Sequence, residues 1–156
     1  MPVVDEKGQA FEHGGVKIWY TVMGKPERTP LIVANGGPGF DHEYLLCSDV
    51  WNYFAQYRQV VFYDQRGDGR STPLPDSATC TLADQIADLE ALRDHLGFAR
   101  IELLGHSWGG YLAMAYAARH PDRIAHLIIC DSAAPRIQDT LFLLRNIYPE
   151  IQARQD

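Results

Sequence analysis

Gly105-His106-Ser107-Trp108-Gly109 lies between a short apolar run at residues 101–104 and a long, mostly apolar segment at 108–120. That order predicts a strand that turns into a helix within a few residues. Glycine at both flanks leaves room for so sharp a turn. The turn lifts the serine hydroxyl above a sheet edge and aims the first free amides of the helix at whatever it attacks. Ser107 is therefore the candidate nucleophile, and the chain must fold into something that places strand ends and helix starts along one rim.

The rest of the sequence supplies such a fold. Residues 10–12 and Val16–Met23 predict two strands around a His13-Gly14-Gly15 turn. Leu31–Ala34 is a third strand, residues 43–54 contain a helix, and residues 59–63 form another strand. Thr81 followed by Asp84 predicts a capped helix start, and Leu82, Ile86, Leu89, Leu92 and Leu96 form its apolar stripe up to Gly97. The segment at 108–120 is apolar nearly all round, which predicts a fully buried helix ended by Pro121. Ile124–Cys130 predicts another buried strand, with Cys130 as a small core residue. Short apolar strands alternating with helices indicate an α/β protein with a mostly parallel sheet, an N-terminal antiparallel hairpin and helices on both faces. Chemistry in such sheets gathers beyond the C-terminal strand ends, where all three glycine-rich segments fall.

Composition narrows the function classes. A net charge of −6, with no basic run, argues against a nucleic-acid surface. No apolar segment approaches the length of a membrane span, and no secretory leader is visible, so a cytoplasmic location is expected. Cys47, Cys80 and Cys130 have no metal-like spacing, and three thiols leave one unpaired in any disulfide scheme. Neither a metal nor a cofactor is expected.

Two other segments face the same rim as Ser107. Asn35-Gly36-Gly37-Pro38-Gly39 follows a strand at once and reads as an oxyanion loop. Backbone amides there would stabilise the negative charge that acyl transfer develops on oxygen. The candidate donors are the Gly37 and Trp108 amides, since Pro38 has none; Gly36 and Pro38 shape the loop. Asp64, Arg66 and Arg70 lie among glycines without the lysine of a phosphate loop, and predict one structural charge network. A serine needs a base within hydrogen-bond reach. Of His13, His42, His95, His106, His120 and His126, only His42 lies near the mouth, and all six read better as structural or surface residues. Asp131, just past an apolar strand, is a candidate catalytic acid, with capping of the next turn as its other reading.

These segments resemble the α/β-hydrolases of the proline iminopeptidase type. The resemblance rests on Gly36-Gly37-Pro38-Gly39, on Asp64-Gln65-Arg66-Gly67 with Gly69-Arg70-Ser71, and on Gly105-His106-Ser107-Trp108-Gly109-Gly110, and spans roughly residues 11–135. It implies a serine hydrolase that releases an N-terminal residue, often proline, from short peptides. Ser107 would be the nucleophile and Gly37 and Trp108 the oxyanion donors, with no metal. Asn35 stands where the family usually has His, and His106 and Gly110 stand where it often has Gly and Ser. Relatives with similar signatures act on esters or amides. Dehalogenases and epoxide hydrolases need a carboxylate in place of Ser107.

Family members continue into a helical cap and two further strand–helix units that deliver the acid and the histidine. Each such unit takes about 30 residues or more, and this chain stops at Asp156. The expectation is therefore a truncated α/β-hydrolase fold: residues 1–135 as the N-terminal part of the core, and 136–156 as the start of a cap or a shortened tail. Such a chain would act weakly or not at all by itself. Its substrate would be a small peptide, amide or ester. The alternative is a noncatalytic binding or assembly module, self-associating or completed by a missing C-terminal half, because Ile124–Cys130 would otherwise be an exposed apolar edge.

Overall fold

Gly14 and Gly15 hold φ values of 57° and 79° and close a two-residue turn between β1 (Gln9–His13) and β2 (Val16–Met23). A tight hairpin needs positive φ at both positions, and glycine adopts it without steric penalty. The computed structural model describes residues 8–75, 80–134, 136, 138, 139 and 142. β2 runs antiparallel to β4 (Val60–Tyr63), and beyond that the sheet is parallel through β3 (Leu31–Ala34), β5 (Ile101–His106) and β6 (Ile124–Cys130). The strand order is β1-β2-β4-β3-β5-β6.

Neighbouring residues of a strand point to opposite faces, so a strand covered on both sides is apolar throughout. β3 and β4 follow that rule. Ile32, Ala34, Val61 and Tyr63 join one core with α2 (Leu82–His95) and α3 (Trp108–Arg119). Leu31, Val33, Val60 and Phe62 join a second core with Trp51 and Ala55 of α1 (Val50–Ala55). The sheet is thus mostly parallel with helices on both faces and an antiparallel hairpin at one edge.

α2 starts as its sequence predicts. The Asp84 amide donates to Thr81 Oγ1 at 3.2 Å, and the Thr81 amide donates back to Asp84 Oδ2 at 2.9 Å. Such a cap contributes about 1 kcal/mol. Ile86, Leu89 and Leu92 are buried, Leu82 and Leu96 pack at the margin, and Gly97 ends the helix at φ 71°.

The helix expected within residues 43–54 is α1, which runs one residue further and is preceded by a 3-10 turn at Glu43–Cys47 and extended backbone at Ser48. Other expectations need correction. α3 is buried on one face only, through Gly109, Gly110, Leu112, Ala113 and Tyr116; Tyr111, Met114 and Ala115 are half-buried. One side of it lies on the sheet, and its apolar content exceeds what that side can hide. β6 is not the buried strand that its apolar run predicts but the exposed apolar edge of the alternative expectation. Among the described residues β5 is its only strand neighbour, and Leu127, Ile128 and Ile129 are 38, 39 and 41% exposed. Cys130 is likewise exposed, not a core residue. The expected division at residues 135 and 136 falls on a tail that lies outside the described residues, apart from 136, 138, 139 and 142.

Candidate active site

Ser107 sits where β5 meets α3, at φ 54° and ψ −118°. A side chain in that region costs about 1 to 3 kcal/mol, and the surrounding structure must enforce it. Three backbone hydrogen bonds do so. The Ser107 amide donates to the Cys130 carbonyl at 3.1 Å, and the Ser107 carbonyl accepts from the Gly110 and Ala133 amides at 3.0 and 3.1 Å. The glycines permit the closeness. A Cβ at Gly105 would strike the Gly109 carbonyl, one at Gly109 the Ala34 carbonyl, and one at Gly110 the Ser132 hydroxyl. Trp108 is tied to α2 by its indole N–H, which donates to Gln85 Oε1 at 3.0 Å.

The glycine loop lies against this bend. A Cβ on Gly36 would come within 3.1 Å of Ser107 Cβ, so the loop and the serine are in direct contact. A cavity of about 530 Å³ opens here, lined by Gly36, Gly37, Phe40, Tyr44, His106 and Ser107, with Gly39 and Asp41 at its side. Gly37 holds φ 138° and is followed by a cis Pro38. Asn35 braces the loop from below. Its amide nitrogen donates to the carbonyls of Gly36 and Phe40, and Gln65 Nε2 donates to the Asn35 carbonyl at 2.9 Å. The Trp108 amide opens α3, where the first amides have no acceptor within the helix.

The segment from Asp64 to Ser71 is structural, but it is not one network. Asp64 is fully buried and accepts from the His42 ring at 2.7 Å, from the His42 amide at 3.1 Å and from the Arg70 amide at 2.9 Å. Burial pushes the Asp64 carboxyl up, but these hydrogen bonds outweigh it and hold the group below its ordinary value. Arg66 turns away to grip Asp88 of α2 through two bonds of 2.6 and 2.7 Å, and Asp88 also accepts from His13 at 2.8 Å. Arg70 lies over the Trp19 ring and pairs with Glu43 at 2.9 Å. Asp64 and Arg70 both tie the loop to the segment at His42 and Glu43, whereas Arg66 ties it to α2.

His42 is not at the mouth. It is buried, bonded to Asp64 and stacked on Trp19 at 4.7 Å, so it cannot serve Ser107. His106 points its Nδ1 at the Tyr44 hydroxyl, 2.7 Å away. His95 packs on Phe11 and bonds Tyr20, His120 lies against Tyr116, and His126 pairs with Glu102 at 3.3 Å. Among the described residues no imidazole hydrogen-bonds the Ser107 hydroxyl. Asp131 is exposed at φ 42°, directly after the Cys130 carbonyl that holds the Ser107 amide. It stands beside the bend, without a histidine partner among the described residues.

Sequence reading missed Tyr44 as part of the site, and it named Asn35 in the oxyanion loop and Gln65 beside Asp64 without their bracing role. Asn35 carried a signal, since a polar side chain between a buried strand and a glycine pair needs hydrogen-bond partners. Tyr44 carried none, because only folding brings it to His106. Among the described residues no helix is long and apolar enough to cross a membrane.

Residues 29–153 match the family described as alpha/beta hydrolase fold. The proline iminopeptidase of Xylella fastidiosa (strain 9a5c) is 38% identical over 128 residues, which is 76% of this chain and 39% of that protein. The probable proline iminopeptidase of Streptomyces coelicolor is 35% identical over 162 residues, covering 94% of this chain and 49% of its own. The crystal structure of proline iminopeptidase from Mycobacterium smegmatis superposes with a TM-score of 0.73 at 35% identity, over 81% of this chain and 44% of that one. The chain thus spans less than half the length of these relatives. With the strand–serine–helix bend, the sheet order and the family match in agreement, the chain belongs to the alpha/beta hydrolase fold family and is similar in sequence to proline iminopeptidases.

Proposed function

We propose that the chain provides the nucleophile and the oxyanion-stabilising half of a serine hydrolase of the proline iminopeptidase type. Ser107 attacks the carbonyl of a short peptide, amide or ester. The Gly37 and Trp108 amides stabilise the oxyanion; the C–N or C–O bond then breaks, the amine or alcohol departs carrying the serine proton, and water releases the acyl group from Ser107 as the acid. The observation that carries this reading is the strained backbone at Ser107, held against a glycine loop in one cavity. A bend that costs free energy and is pinned by three hydrogen bonds is hard to explain by packing alone. The histidine comes from polypeptide other than the described residues, and the acid is either Asp131 or comes with that histidine. Location in the cytoplasm, where free thiols persist, fits the three cysteines.

The test uses the purified chain with a proline naphthylamide, a p-nitrophenyl ester and a fluorophosphonate. Slow stoichiometric labelling by the fluorophosphonate, absent in Ser107→Ala, is expected, with little turnover of either substrate. Failure to label Ser107 would overturn the nucleophile reading. Rapid turnover abolished by Ser107→Ala would instead show that the chain carries its own base. A second reading, an assembly module that pairs through β6, is favoured by the exposed Leu127, Ile128 and Ile129. A clean monomer by light scattering at high concentration counts against it.

A further inference from the structure

Tyr44 belongs to none of the glycine-rich segments, yet its hydroxyl sits where two of them meet. The Gly36 amide donates to Tyr44 Oη over 2.6 Å, and Tyr44 Oη lies 2.7 Å from His106 Nδ1. An amide can only donate, so the phenol oxygen accepts there, which leaves its own proton free to go to the imidazole. In that arrangement His106 Nδ1 offers a lone pair and the ring proton lies on Nε2. These atoms converge beside the nucleophile. A Cβ on Gly36 would lie 2.9 Å from Tyr44 Oη, 3.1 Å from Ser107 Cβ and 3.2 Å from His106 Nδ1.

Tyr44 is also held from behind. Its 3-10 turn begins at His42, locked to the buried Asp64 by both ring and backbone. Leu45, the next residue, accepts from the Trp51 indole at 2.6 Å. The Tyr44 ring tilts against His106 with centroids 5.5 Å apart. Partial burial raises the phenol above its ordinary pKa, so the proton it donates is retained at neutral pH.

We infer that Tyr44 is a positioning residue: its hydroxyl sets the spacing between the glycine loop and Ser107 and holds His106 in its Nε2–H tautomer. This rests on Ser107 as nucleophile and Gly37 as oxyanion donor. The phenol acts through Gly36 and His106. Oxyanion donors work only when held within a few tenths of an ångström of where charge develops. Gly37 is the residue next to the amide that Tyr44 holds, so movement of Gly36 displaces the donor.

The experiment measures ¹⁵N shifts of His106 and hydrogen exchange of the Gly36 amide in the full chain, then in Tyr44→Phe. In the unaltered chain, His106 is expected as a single Nε2–H tautomer with a protected Gly36 amide. Tyr44→Phe should mix the tautomers and speed Gly36 exchange about tenfold, the size of one lost hydrogen bond. The limiting rate of fluorophosphonate labelling should fall about fivefold while the half-saturating concentration stays within about twofold, because the ring still lines the cavity. A proton on His106 Nδ1 in the unaltered chain overturns the inference without any variant. Unchanged Gly36 exchange or an unchanged limiting rate in Tyr44→Phe overturns it as well. If Ser107 in the unaltered chain resists the reagent, the nucleophile reading fails, while the tautomer and exchange measurements still decide whether Tyr44 is the bridge.

Discussion

β3 and β6 are both short, apolar, parallel strands whose ends lie beside Ser107, yet β3 is enclosed on every side and β6 is open. Leu31, Ile32, Val33 and Ala34 are buried between β4 and β5 with helices on both faces, whereas Leu127, Ile128 and Ile129 each keep more than a third of their surface in solvent. The difference lies in neighbours and not in composition. Apolar content shows that a strand can be buried; the strands beside it decide whether it is.

The largest expected effect is at the closest backbone approach on the enclosed side. Gly109→Ala would push a Cβ into the Ala34 carbonyl, which cannot swing away. A loss of about 3 kcal/mol or more is expected by urea unfolding. Gly110→Ala, on the β6 side, meets Ser132, chiefly its side chain and more distantly its Cα, and should cost about 1 to 2 kcal/mol. Equal losses would break the contrast between the two sides.

Core truncation sharpens it further. Ile32→Ala should cost about 3 kcal/mol, the usual range for a fully buried aliphatic residue, while Ile128→Ala should cost about 1 kcal/mol or less. Comparable unfolding midpoints for the two variants would mean that β6 is covered in solution.

The enclosed side should also dominate the acid response. Glu90 on α2 is held down to about 2, chiefly by hydrogen bonds from Arg93 against the opposing effect of burial, with the Tyr116 hydroxyl adding to the lowering. A carboxyl depressed in the folded state contributes stability above its unfolded pKa, about 4.3, and loses it as pH falls toward the folded value. Glu90→Gln should therefore flatten the fall in stability between pH 4.5 and 2, at a neutral-pH cost of about 1 to 2 kcal/mol. An unchanged slope would remove Glu90 from the acid transition.

The smallest effect on folding belongs to the open strand. Ile128→Lys should change stability by about 0.5 kcal/mol or less, yet reduce self-association in light scattering. A large destabilisation would show that this row is packed against something.

Much of the fold was legible because its signals are local. The Gly14-Gly15 turn, the Thr81–Asp84 cap and the β5-to-α3 bend each depend on a few adjacent residues, and the strands at 16–23 and 31–34 came out with the bounds expected. What stayed hidden depends on partners far along the chain. Asp64 finds His42, Arg66 finds Asp88, and Tyr44 finds His106 only after the sheet forms. A one-dimensional reading groups Asp64, Arg66 and Arg70 together because they are neighbours in sequence, whereas Arg66 leaves for α2 and the other two reach His42 and Glu43. It buried Cys130 because apolar strands usually are buried.

The strand order has a consequence for synthesis. β3 emerges before β4 but takes its place between β4 and β5. After Tyr63 is made, one flank of Leu31–Ala34 lacks its mate until Ile101 follows, roughly 2 to 8 s later at ordinary elongation rates. During that interval a sticky ribbon hangs beside the ribosome, and a holdase that recognises extended aliphatic segments would find its customer there.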